Sequence, residues 1–177
     1  MYNQSLVASL ISNNGIEETE AWAKRFVRNF ARSPQGNDRA QILAVANGLA
    51  DIAIANSYYI GVMLSGRGGQ EQYEAAQRVR VAFPNQLNSG THVNISGGGI
   101  LKYAPNKSNA ESFLEFLLSE EAQKHIVNNT FEYSVLNNVE PNSAIAQFGS
   151  FISDQTSVAD FGTVSYTHLT LPTRRFV

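Results

Sequence analysis

Two phenols stand side by side in "ADIAIANSYYIG", residues 50–61, at Tyr58 and Tyr59. Neighbouring residues of a strand point to opposite faces, so two such groups share a task only if the chain has left the strand. The sequence supplies an exit. The apolar run Ile52 to Ala55 ends at Asn56-Ser57, and either residue can cap a helix. The tyrosines then fall in a first helical turn, where successive side chains are separated by about 100°. Both hydroxyls lean over the carboxyl end of the strand, the edge at which α/β sheets bind ligands. The helix start adds N–H groups and the positive end of a dipole, a seat for an anion.

A phenol ordinarily ionises near pH 10, so at neutral pH it binds metal as phenolate only if the metal displaces the proton. A small, hard trivalent cation does this, and hard ions prefer oxygen donors. Ferric iron is the biological candidate, with an anion to fill remaining positions and balance charge. The same two residues also admit a plainer reading, in which one ring packs in the core and the other is exposed. The pair alone leaves both open.

Other chemistry has less support. There is no cysteine, which excludes disulfides, thiolate metal sites and a cysteine nucleophile. His92 opens an expected strand and is read as structural, His125 as a surface residue of a helix, and His168 lies in a doubtful final segment. No two histidines have metal-site spacing. "LSGRGG" and "SGGGI" lack the lysine and spacing of a phosphate loop, and no G-x-S-x-G is present. Glu17-Glu18 and Glu120-Glu121 sit in expected first turns, where the helix dipole accounts for them. A net charge of -2 gives no general field for nucleic acid or an anionic membrane, so no nucleic-acid partner is expected. No 18-residue apolar run exists to span a membrane as a helix.

The elements that must position the phenols follow an α/β rhythm. Leu6, Val7, Leu10 and Ile11 recur at helical spacing until Asn14-Gly15. A second helix is expected over about Glu17 to Ala31, with Trp22, Phe26 and Phe30 as its buried stripe. Asp38 is the expected N-cap of a third, through Ala46, with Ile42, Val45 and Ala46 inward. A short strand "ADIAIA" leads to a helix over 58–65, then another over 70–77. Strands "VRVAF" (79–83) and "HVNIS" (92–96) flank a loop. Ser108 to Glu111 reads as a capping box before a stripe of Phe113, Leu114, Phe116 and Leu117. Ser119 caps "EEAQKHIVNN", and a short helix is expected near 143–151.

"YNQSLVASLI", "FARSPQGNDRAQILAVANGLADIAIANSYYIG", "LNSGTHVNISGGGILKYAPN" and "AESFLEFLLSEEAQ" occur in that order. Over about residues 2–162 the chain thus resembles the ferric-iron-binding periplasmic proteins of bacterial ABC importers. "IANSYY" with "GTHVNISG" carries most of the resemblance. It implies an α/β periplasmic-binding-protein fold of type II, with Fe3+ bound in an interlobe cleft. It implies Tyr58 and Tyr59 as ligands, and Tyr2, opening the Tyr-Asn-Gln-Ser segment, as a further one. Asn56 matches a position that helps hold a synergistic anion such as carbonate or phosphate. The implied protein is a non-enzymatic monomer in the periplasm or cell envelope that serves an inner-membrane permease.

The resemblance also implies a fragment, mostly the second lobe plus a returning part of the first. The expected segments are 1–86 in the second lobe, 87–142 as crossover and returning first lobe, and 143–162 as a C-terminal remnant. Residues 163–177, "TVSYTHLTLPTRRFV", fit no capped helix and read as a non-native tail. No signal peptide opens the chain. Two alternatives stand beside the lead: a protein of the same fold that takes an anion or small organic acid, and an interaction lobe whose tyrosines only pack.

Overall fold

Among the described residues helices carry nearly all the regular structure. A computed structural model of the chain describes residues 2–157, 159 and 160, with Tyr2 described in its backbone alone. In chain order the helices are α1 (Tyr2–Asn14), α2 (Ile16–Arg28), α3 (Asp38–Ala46), α4 (Ser57–Leu64), α5 (Gln70–Gln77), α6 (Lys107–Leu117), α7 (Glu120–Thr130) and α8 (Ser143–Ala146). The expected tail and His168 lie outside the described residues.

The chain divides into two compact units. One takes Met1–Arg32, Phe83–Ser96 and Phe151–Val177; the other takes Ser33–Ala82 and Gly97–Ser150. Within the first of these units residues 83–91 and 151–154 are joined. Thr91 and Ser153 form a parallel bridge. The Thr91 N–H donates to the Ile152 carbonyl and the Asp154 N–H to the Thr91 carbonyl, each at 2.8 Å. Gln86 reinforces the bridge: its Oε1 accepts from the Ile152 N–H at 2.7 Å and its Nε2 donates to the Ile152 carbonyl at 3.1 Å. Gly90, at φ +86°, lets the two backbones approach; a Cβ there would lie 2.7 Å from the Ser153 carbonyl.

In the second unit α3, α4 and α5 enclose a core of Ile42, Ile60, Met63, Ala75 and Ala76. Leu43, Ala46, Leu64, Val79, Val81 and Phe148 close over it. Met63 is wholly buried, and burial of such a side chain contributes about 1.5–3 kcal/mol. α8 seats Ile145 against α4.

Several expectations are corrected. The runs 50–55, 79–83 and 92–96 form no strand among the described residues, where the Thr91–Ser153 bridge is the one β pairing. A strand needs a neighbour to receive its ladder bonds, and apolar composition alone does not provide one. α2 ends at Arg28, not near Ala31. Its stripe is formed ring on ring, with Trp22 to Phe26 at 5.1 Å and Phe26 to Phe30 at 5.2 Å, but Phe26 and Phe30 are exposed. α6 begins at Lys107 with Asn106 before it and no side-chain cap bond, so Ser108 lies inside the helix and the capping box does not form. Phe113 and Phe116 are likewise exposed. The Ser119 cap does form, accepting from the Ala122 N–H at 3.2 Å. No helix of the described residues is long and apolar enough to cross a membrane.

Candidate metal centre

α4 begins where the phenols require it to. Asn56 is its N-cap, with φ -74° and ψ 138°, and Ser57, Tyr58 and Tyr59 are its first three residues. The Tyr59 N–H closes the turn on the Asn56 carbonyl at 3.2 Å. The two rings lie beside each other, centroids 4.1 Å apart and planes tilted by 32°. Both are half-buried. Tyr59 also packs against the core of its unit. Tyr58 is not among the residues packed on that core.

The first turn is tied to α3 by a residue whose role the sequence did not disclose. Asp38 was expected to cap α3. Asn37 does so instead, its side chain accepting from the Ala40 N–H at 3.2 Å. Asp38 is thereby released to reach across 18 residues to Asn56. Its Oδ1 accepts from the Asn56 backbone N–H at 2.8 Å and from the Asn56 side-chain amide at 3.1 Å. Asn56, turned to Asp38, makes no cap bond of its own. No local pattern at 38 or 56 signals this long-range bond.

Tyr2 opens α1 in the other compact unit, and its side chain lies outside the described structure. Among the described residues no cluster of three or more His, Cys, Asp or Glu is placed to hold a metal ion.

His92 occupies a polar seam in the first unit. Its Nε2 lies 3.3 Å from the Ser5 hydroxyl and 3.2 Å from the Asn94 side-chain Oδ1. Burial holds its pKa below the ordinary histidine value, against the opposing Asn94 bond and the Asp154 charge. Asp154 is buried, which alone would raise its pKa. Hydrogen bonds from Ser9, Thr156 and Asn13 outweigh that and hold the carboxyl below its ordinary range. Ser5, Ser9 and Asn13 are spaced by four along α1, so one helix face presents this whole polar row. His125 is exposed on α7, as expected.

A first turn carrying adjacent phenols, set on a small helical core, is found in a chain whose residues 3–149 match the bacterial extracellular solute-binding proteins. The chain belongs to that family. It is 53% identical over 161 residues to iron uptake protein A1 of Synechocystis sp., covering 91% of this chain and 44% of that protein. Among solved structures it is similar to a Trichodesmium protein in complex with iron and citrate, at 50% identity and a TM-score of 0.90, covering 98% of this chain and 54% of that one. The ferric binding protein of Campylobacter jejuni is similar at 36% identity and a TM-score of 0.89, with coverage of 98% and 54%. The fold is that of the type II periplasmic binding proteins, and the chain spans about half the length of the relatives it matches.

Proposed function

We propose that the protein carrying this chain is the substrate-binding component of a ferric iron ABC importer. It works in the periplasm or cell envelope as a non-enzymatic monomer and hands its cargo to an inner-membrane permease. Tyr58 and Tyr59 bind Fe3+ as phenolates, with Tyr2 as a further ligand. Asn56 stands beside them as the residue that would assist a synergistic carbonate or phosphate.

The observation that carries this reading is the placement of two half-buried phenols 4.1 Å apart, ring to ring, in the first turn of one helix. Relatives named for iron uptake and ferric binding support the choice of ion. Phenolate bound to ferric iron gives a visible charge-transfer band. Titration with ferric nitrilotriacetate should therefore develop colour that saturates with stoichiometric iron. Replacing Tyr58 and Tyr59 by Phe keeps the rings and removes only the oxygens. Unchanged colour and uptake in that double variant would overturn the assignment.

A further inference from the structure

We propose that Asp38 is a positioning residue for the phenol pair. The proposal rests on the reading of Tyr58 and Tyr59 as ligands and adds to it the residue that fixes their turn. One carboxylate oxygen, Asp38 Oδ1, receives both the backbone N–H and the side-chain amide of Asn56. Those two bonds fix the residue immediately before α4 in its backbone and in its side chain together. Tyr58 and Tyr59 follow two and three residues later, so their ring directions inherit the angle at which the chain leaves Asn56.

The sequence around Asp38 shows what frees it for this task. A first-turn acid on a helix is ordinarily accounted for by the dipole. Here the neighbouring Asn37 supplies the cap, so α3 does not need Asp38 as its N-cap. Asn56 in turn makes no side-chain cap bond on α4, although asparagine is among the best capping residues. The pair thus gives up two local capping roles for two long-range bonds to a charged acceptor, a strong class of hydrogen bond. A metal site needs its ligands held to a fraction of an ångström, and these bonds supply such a restraint at the helix start.

The test compares Asp38→Ala, Asp38→Asn and Asn37→Ala in the protein carrying this chain, with Tyr58→Phe/Tyr59→Phe as reference. Each is loaded with ferric nitrilotriacetate. The charge-transfer maximum, the rate of iron loss to excess chelator and the thermal midpoint are read together. Asp38→Ala is expected to move the maximum and speed iron loss about tenfold or more, the scale set by losing a partner behind a metal ligand. Asp38→Asn keeps an oxygen that can accept both bonds and is expected to restore the native maximum. Asn37→Ala removes the α3 cap and is expected to lower the midpoint without moving the maximum.

If Asp38→Ala leaves the band and release rate native, or if Asn37→Ala changes them as much, Asp38 does not position the pair. If Asp38→Ala fails to fold, Asn56→Ala, which keeps the backbone bond and loses the amide, takes its place. A native band and release rate there overturn the proposal equally. If the double Phe variant keeps full colour and uptake, the ligand assignment has failed instead, whatever Asp38 does.

Discussion

Gly61 and Phe131 meet so closely that no side chain fits between them. A Cβ at Gly61 would lie 2.7 Å from the Phe131 Cβ and 2.8 Å from the Ile145 Cγ2. Phe131 is buried and held at φ +61°, a left-handed conformation rare for a bulky residue. The Arg67 guanidinium lies 4.9 Å over its ring and donates to the Asn129 carbonyl at 2.8 Å. Ala is the better helix former by about 0.5–1 kcal/mol, but an overpacked contact costs about 1–3 kcal/mol. The clash is with a Cβ that cannot swing away, so packing wins. Gly61→Ala should lower stability by about 1–2 kcal/mol, read from the midpoint of a urea transition. A rise in that midpoint would show that α4 shifts freely against Phe131.

Iron uptake should release protons. A phenol that ionises near pH 10 must give up its proton to bind. Uptake from a ferric chelate in weakly buffered solution, corrected for the chelate itself, should release about one proton per tyrosine ligand. Tyr59→Phe should release about one fewer, and apparent affinity should rise with pH. A proton count unchanged by the substitution would remove Tyr59 from the ligand set.

Acid should weaken the first unit in two stages. His92 has its pKa lowered by folding, so the unfolded chain binds that proton more readily. The stability from its neutral form is complete above its ordinary pKa of about 6.5 and is lost as pH falls through that value toward the folded one. Asp154 is also lowered, and its contribution is lost as pH falls below about 4. The thermal midpoint should therefore decline first below about pH 6.5 and again below about pH 4. His92→Gln should flatten the first decline and leave the second.

The Ser119 cap is a simple local prediction. Its hydroxyl is the side-chain cap at the start of α7. Ser119→Ala should cost about 1 kcal/mol, and Ser119→Asp should restore most of it. Equilibrium unfolding of the three proteins measures both.

The sequence revealed what depends on neighbours along the chain. The span of α5, the Gly15 break between α1 and α2, the Ser119 cap and the phenols in the first turn of α4 could all be read there. Each is fixed by residues within about one or two turns. Features that depend on distant partners were not visible. A short apolar run at 50–55 and alternating faces at 92–96 announced strands, but no ladder partner is present among the described residues. Periodicity at Phe26, Phe30, Phe113 and Phe116 marked helix faces correctly as apolar, but these rings stand exposed. Asp38 looked like a cap, but Asn37, one residue earlier, is an equally good one. Only the fold decides which of them caps, and which is left for Asn56.

The bond between Ser9 and Asp154 spans 145 residues. At about 5–20 residues per second of synthesis, Ser9 waits roughly 7–30 s for its partner to be made. The helices α3, α4 and α5, by contrast, come from one uninterrupted stretch and can pack as soon as it leaves the ribosome. The nascent chain thus carries α1 with its row of serines and asparagine unmet while the phenol-bearing unit has already begun to condense. Residues 151–154, made long after α1, complete the unit to which α1 belongs.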